Sequence, residues 1–513
     1  MDDAAADPGA AAPHASDAAA PHASDPSGQA AAVRAAGPPV TQRRRHVTRT
    51  LASVGLVIML AGVLFGYDQG VISGALDGIQ RDFHVSTFLL EVITSWVTLG
   101  AMGGALVAGA LADRLGRRAT ILLASVLFTL GALVEALAPG SAVLVLGRLA
   151  VGFGVGVASV AAPLYAAEMA PARLRGRFVS LYQLAITIGI FVAYLVDYVL
   201  SHSSGWRLML GMSAVPAVLL VVAMWPLSDS PRWYMRVGRR AEAERALRRV
   251  TGVHDVSDEL DAVQSVLDEE SAQPAGWRTV FAPQWRRPLV IGVTLAVLQQ
   301  LTGINAVIYY ANQIFAAAGF TSPQSQSLAT LWAVGAVNVC ATLVAVVWVD
   351  RFGRRPLLFI GTTGMGLSLL VVGAMFLKLS AVDPGTTADT ARTTGEGLIT
   401  LVALVVFIAS FAFSLGPVVW TIINEIFPSH VRGKAVAVAT AANWFAAWLV
   451  AQFFLSLVGL ITTTGVFWLF AAFCGITFVF VRRVVPETKG KSLESIQSMW
   501  GDPTALAAAM EVE

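Results

Sequence analysis

Charge is scarce in this sequence: Asp, Glu, Lys and Arg make up 13% of its 513 residues, against about 25% in an ordinary soluble domain. So few charges cannot clothe a chain of this size in water, which excludes a water-soluble protein. Cysteine is nearly absent as well. The two present, Cys340 and Cys474, both stand in apolar runs and read as buried small hydrophobes, so neither a disulfide framework nor a metal site is expected. The net charge is only +2, and without a basic block interleaved with aromatics no nucleic-acid groove is expected. No glycine loop ends in a Walker-type lysine, which excludes ATP-driven work. Gly152-Phe-Gly-Val-Gly156 has the look of a nucleotide loop, yet no strand precedes it and it lies in an apolar run. Close helix packing explains it better, as it does Gly100 and Gly104. No nucleophile and base share a motif, so neither an enzyme nor a cofactor is expected.

What the sequence has is apolar surface. Hydrophobic residues make up 56% of the chain and recur from Leu51 to Val481 in runs of the length a bilayer demands, about 17–25 residues. Bounded by charges and turn residues, these runs predict helices at about 51–76, 92–112, 119–138, 143–166, 178–201 and 206–226. A second set is predicted at about 287–316, 326–349, 356–378, 397–425, 433–459 and 463–483. One series of short loops holds Arg114, Arg117, Arg118, Arg173, Arg175, Arg177, Arg351, Arg354, Arg355, Arg432 and Lys434, whereas the loops 201–206, 321–327 and 460–465 of the opposite series hold no Lys or Arg. The basic series belongs on the cytoplasmic side. Arg43, Arg44, Arg45 and Arg49 before the first run, and Arg482, Arg483, Lys489 and Lys491 after the last, put both termini there too. An even number of spans follows, and twelve fits: an all-α membrane protein of two six-helix halves.

The organisation expected is a disordered cytoplasmic tail (1–48), a six-helix bundle (49–227), a charged cytoplasmic helical linker (228–286), a second six-helix bundle (287–484) and a cytoplasmic tail (485–513). The first tail is rich in Ala, Pro, Asp and His, and repeats Ala-Pro-His-Ala-Ser-Asp at 12–17 and 20–25. Its His14 and His22 have the chemistry to take up a metal, but a solvated tail is the reading adopted.

The two halves repeat each other. Asp113-Arg-Leu-Gly-Arg-Arg118 after the second run returns as Asp350-Arg-Phe-Gly-Arg-Arg355 after the eighth. Glu168-x-x-Pro171-x-x-x-Arg175-Gly-Arg177 returns, with identical spacing, as Glu425-x-x-Pro428-x-x-x-Arg432-Gly-Lys434. Parallel six-helix repeats put a substrate site near the membrane midplane, between the halves. Topology alone requires the arginines of the loops but not their carboxylates. Pairs drawn from Asp113, Arg117, Glu168, Arg175, Asp350, Arg354, Glu425 and Arg432 are therefore expected to part and reform as the cytoplasmic side opens and closes.

These signatures resemble the major facilitator superfamily, and the remaining pattern is similar to its sugar porter family over about residues 50–495. The further motifs are Gly147-Arg148, Ser230-Pro231-Arg232, Gln299-Gln300-x-x-Gly303-x-Asn305 with Tyr309-Tyr310, and Pro486-Glu487-Thr488-Lys489-Gly490. Where the family commonly has Pro-Glu-Ser-Pro-Arg, this chain reads Ser228-Asp-Ser-Pro-Arg232. The resemblance implies alternating-access import of a monosaccharide with protons, as in bacterial symporters for xylose, arabinose, galactose and glucose. It further implies a multi-pass protein of the inner (plasma) membrane, monomeric because one chain already holds both halves. A facilitated sugar or polyol uniporter, for inositol for example, and a non-transporting sugar sensor are the alternatives.

The intramembrane polar residues fit that expectation. Asp68 stands in the first run with no Lys or Arg nearby in sequence, and a carboxylate at such a depth costs about 2.5–3.5 kcal/mol on insertion scales. Counted from the helix ends, Arg148 in the fourth run lies at a matching depth, so Asp68 and Arg148 are the expected proton-coupling pair. The resemblance strengthens this, since proton-coupled bacterial members carry Asp at this position and animal facilitative carriers Asn. A sugar is best held by neutral amides with an aromatic face. Gln183, Gln299, Gln300, Asn305, Asn338 and Asn443, with Trp420 and Trp444, match the family's substrate positions. Tyr309 and Tyr310 are expected to close over the substrate, and Gly416-Pro417 to loosen the tenth helix as a gate. Ile190 and Leu415 stand where xylose symporters carry glutamine and tryptophan, which weakens xylose itself as the substrate and keeps hexoses open.

Overall fold

A computed structural model describes residues 48–171, 174–202, 205–253, 255–272, 276–348, 351–380, 395–427 and 429–489. The expected disordered tail with His14 and His22, Asp350, and most of the second tail lie outside the described residues. The first five spans are α1 (Arg49–Phe83), α2 (Thr87–Leu115), α3 (Arg117–Ala136), α4 (Ser141–Met169) and α5 (Arg175–Leu200). The sixth, α6 (Trp206–Met224), is interrupted at Met212–Ser213. Local chemistry sets several ends. The Thr48 hydroxyl accepts from the Leu51 amide at 3.1 Å to open α1, and Ser86 does the same for Leu89 at 3.3 Å to open α2. Between them His84 takes a left-handed conformation, φ 48°, that turns the chain.

The second set starts with α7 (Arg286–Leu301), which breaks at Gly303 (φ +88°) and resumes as Ile304–Tyr309 and Ala311–Ala317. Next come α8 (Pro323–Trp348), containing a π-helical turn at Thr330–Ala336, and α9 (Arg354–Ser380). α10 (Glu396–Glu425) breaks at Ser414. The loosening of the helix expected at Gly416-Pro417 thus falls at Ser414, just before them. Pro417 has no N–H and its ring would collide with the carbonyl four residues earlier, so regular helix fails before it and restarts at Leu415, leaving the proline in a first turn. Eleven described helices are long and apolar enough to cross a membrane. The last, Ser429–Val484, is bent at Thr462 (φ 66°) into two limbs, α11 (429–461) and α12 (463–484), and the total is twelve.

α1 also runs seven residues beyond its expected end at 76. Counted from Phe83 at about 1.5 Å per residue, Asp68 lies roughly 22 Å from the end of α1 and not the roughly 12 Å of the sequence count.

Within the first half α2 packs on α4, α1 on α5 and α3 on α4; within the second, α9 packs on α10 and on the α11–α12 unit. The glycine reading of α2 and α4 holds: a Cβ on Gly100 would stand 2.9 Å from the Phe153 amide nitrogen, so the helix backbones touch. Outward-facing positions stay apolar, with Val347 69%, Leu146 62% and Leu367 61% exposed. Such a continuous apolar exterior suits lipid and not water. Cys474 is buried as expected, but Cys340 is exposed, on the other side of α8 from the buried Asn338. Between the halves lie short helices at Pro231–Arg236, Arg240–Thr251, Ser257–Ala272 and Trp277–Val280, gathered on a small core of Met235, Ala243, Val256, Leu260 and Leu267.

A charge cluster, an amide cluster and paired loop caps

Arg148 is 0% exposed. Its Nη1 lies 2.7 Å from Asp68 Oδ1 and 3.7 Å from Glu135 Oε1, and its Nε donates to the Ile93 carbonyl of α2 at 3.2 Å. Four helices thus surround one guanidinium. Tyr309, also buried, adjoins Asp68 and Arg148 from the second half and hydrogen-bonds the Gln69 side chain. Asp68 and Arg148 are brought together as expected. Glu135 is the addition. It lies near the end of an apolar run, where a charge reads as an interfacial flank.

The amides gather in the second half. Gln299 donates to the carbonyl of Leu415, the residue after the break in α10, at 2.7 Å, and Gln300 donates to Asn443 Oδ1 at 3.2 Å. Asn305 donates to Gln300 Oε1 at 2.8 Å, and Asn443 donates to Gln299 Oε1 at 2.9 Å and to the Ala296 carbonyl at 2.8 Å. Two of these acceptors are backbone carbonyls, and the others are the amides' own oxygens. Among the described residues, Gln183 of α5 and Asn338 of α8 stand outside this network. Trp420 is half-buried in α10, and Trp444 of α11 meets Phe65 of α1 across the halves, ring centroids 5.5 Å apart. Tyr310 donates from its hydroxyl to the Ala451 carbonyl at 2.8 Å and stacks on Phe454, and its side chain also hydrogen-bonds Thr94 of α2 in the first half.

At the basic end each half builds the same cap. Arg117 pairs with Glu168 at 2.8 Å, and Arg354 with Glu425 at 3.0 Å. Asp229 accepts from the amides of Arg117 and Arg118 at 2.9 and 3.2 Å, and Glu487 accepts from those of Arg354 and Arg355 at 3.0 Å each. A hydroxyl next to each carboxylate completes the motif: Ser230 donates to Glu168, and Thr488 donates to Glu425. Sequence comparison of the halves missed this third repeat, acid then hydroxyl after the last helix of each half. Its signal was there in Asp229-Ser230 and Glu487-Thr488. Burial pushes the Asp229 carboxyl above the usual carboxylate range, against the pull of the amides of Ser230, Arg117 and Arg118. The pairs remain inside their own halves. Asp113 pairs with Arg117 at 3.3 Å and with Arg236 of the linker, and Arg432 donates through Nε to the Phe427 carbonyl at 3.0 Å. Arg175 opens α5.

The far end carries contacts between the halves. Ser456 of α11 donates from its amide to Glu91 of α2 at 2.7 Å and from its hydroxyl at 2.5 Å, and Ser95 donates to Gln452 at 2.7 Å. The Asn312 amide donates to Ser73 at 3.0 Å, and Tyr194 donates to the Ile308 carbonyl at 2.9 Å. Glu91 escaped the sequence reading because the second run was expected to begin after it. The helix begins at Thr87 and buries it.

Twelve helices in two like halves, polar groups at their junction and closure at one end define a multi-pass membrane transporter of the major facilitator fold. The chain belongs to the family described as Sugar (and other) transporter, which it matches over residues 54–500. It is 38% identical to the galactose-proton symporter of Escherichia coli (strain K12), over 85% of this chain and 92% of the relative. With the arabinose-proton symporter of the same strain the identity is 38%, over 88% and 94%. The xylose transporter of E. coli in its inward-open form superposes with TM-score 0.74 at 31% identity, over 88% of this chain and 99% of that one. Its form bound to 6-bromo-6-deoxy-D-glucose gives 0.73 at 32%, over the same shares.

Proposed function

We propose that the chain imports a monosaccharide, a hexose or pentose, by proton symport through alternating access across the bacterial inner membrane, its basic end and both termini cytoplasmic. The observation that carries this is the buried Asp68–Arg148 pair at 2.7 Å. A carboxylate in lipid persists where it has a charged partner and a task, and a pair that separates on protonation couples proton binding to helix movement. The amide cluster supports the sugar half of the reading: Gln299, Gln300, Asn305 and Asn443 offer neutral donors and acceptors without a charge that would overbind a sugar. Relatives of this length and identity include galactose- and arabinose-proton symporters.

The test is proton uptake by proteoliposomes on adding glucose, xylose, galactose, arabinose or inositol in turn, with Asp68→Asn beside the wild type. Sugar-dependent alkalinisation that vanishes in Asp68→Asn, while sugar exchange persists, identifies the substrate and the coupling together. Sugar movement with no proton signal in the wild type overturns symport in favour of uniport.

A further inference from the structure

The buried charge cluster does not balance as a simple pair. Asp68 and Glu135 are both directed at the same Nη1 of Arg148, at 2.7 and 3.7 Å, and all three side chains are essentially withdrawn from solvent. Glu135 Oε1 has no hydrogen-bond partner. The groups facing Arg148 are Asp68 of α1, Glu135 of α3 and the phenol of Tyr309 from the second half, while α2 offers the Ile93 carbonyl. Two carboxylates against one guanidinium leave a net negative charge in a region that lipid surrounds, unless one carboxyl is protonated. The backbone is shaped for this contact. A Cβ on Gly147 would stand 2.7 Å from Glu135 Cγ and 3.1 Å from its amide nitrogen, so the glycine before Arg148 admits Glu135.

Resting on the symport reading above, we propose that Glu135 is the second carboxylate of the proton site, and that Asp68 and Glu135 share one proton across Arg148. Glu135 holds the proton while Asp68 is ionised beside Arg148. As Arg148 changes partner, the O–H bond of the Glu135 carboxyl breaks and one forms on Asp68, leaving Glu135 ionised. The proton count and the charge of the cluster are the same before and after. Asp68 can then release Arg148 without stranding a buried guanidinium, the state that makes breaking a buried pair expensive. The two sites titrate as a unit.

The test compares wild type, Glu135→Gln, Glu135→Asp and Asp68→Asn in proteoliposomes by infrared spectroscopy of the carboxylic-acid C=O stretch, by sugar-driven proton uptake and by sugar counterflow. The same acid band is expected to be missing from both Glu135→Gln and Asp68→Asn, because either change leaves a single carboxylate that balances Arg148 in ionised form. Sugar-driven proton uptake in Glu135→Gln is expected to fall at least about tenfold with counterflow retained, and Glu135→Asp to restore both band and coupling. A band that survives in Asp68→Asn gives Glu135 a proton of its own and overturns the sharing; a band and coupling unchanged in Glu135→Gln overturn it outright. Should the wild type move sugar without protons, the symport reading fails, whereas loss of the band in both variants still supports the shared proton.

Discussion

The two halves repeat one another at the basic end and diverge at mid-depth. Around Arg148 the first half concentrates charge, with Asp68 and Glu135 as partners. Around Gln300 the second half concentrates neutral amides, with Gln299, Asn305 and Asn443 linked through it. The backbones differ to match. The α1, α3 and α4 that hold the charges are unbroken helices, whereas α7 and α10 behind the amides are interrupted at Gly303 and Ser414. A guanidinium only donates and gathers carboxylates around it, whereas each amide both donates and accepts and so links to the next. Duplication supplied the frame, and each half then specialised its centre.

Removing the counter-ion breaks the comparison most severely. Arg148→Met strands the carboxylates and is expected to cost ~3–5 kcal/mol and abolish coupled transport, measured by thermal unfolding in detergent and by proteoliposome uptake. On the other side, Gln300→Ala removes the hub of the amides and is expected to weaken sugar binding by about tenfold or more. Counterflow titration reads that loss, and the acid C=O band should remain as in the wild type if the two centres are separate. Gly147→Leu tests the packing under the charge cluster. Its side chain has no room beside Glu135, so a loss of about 1–3 kcal/mol is expected, again by thermal unfolding. The repeated caps give the smallest effect: Asp229→Asn and Glu487→Gln each keep one acceptor oxygen and should cost about 1 kcal/mol. Matching thermal shifts would confirm that the halves are equivalent at this end; unequal shifts would extend the divergence to it.

Much of this was legible early because lipid imposes strict patterns. Apolar runs must be long enough to cross, basic loops segregate to one side, and a duplicated Asp-Arg-x-Gly-Arg-Arg loop betrays a duplicated bundle. Asp68, alone in an apolar run, announced itself by its cost. Glu91 and Glu135 did not. A carboxylate within a few residues of an expected helix end reads as facing the interface, and only the neighbours that cover it show otherwise. The break in α10 was likewise traced to the right proline and placed two residues late, since the collision acts on the preceding turn.

The sequence by itself determined the twelve spans, the twofold repeat, the gathering of basic loops at one end and the residue types available for charge and for neutral hydrogen bonding, because each follows from local composition and spacing. Tertiary structure decided which of those residues meet. Asp68 and Glu135 share Arg148, the duplicated arginines pair within their own halves, Asp229 and Glu487 cap the helices that begin at Arg117 and Arg354, and Glu91 ties α2 to α11. Such contacts join positions far apart in the chain, set by how closely glycine-faced helices approach and by which of their faces meet.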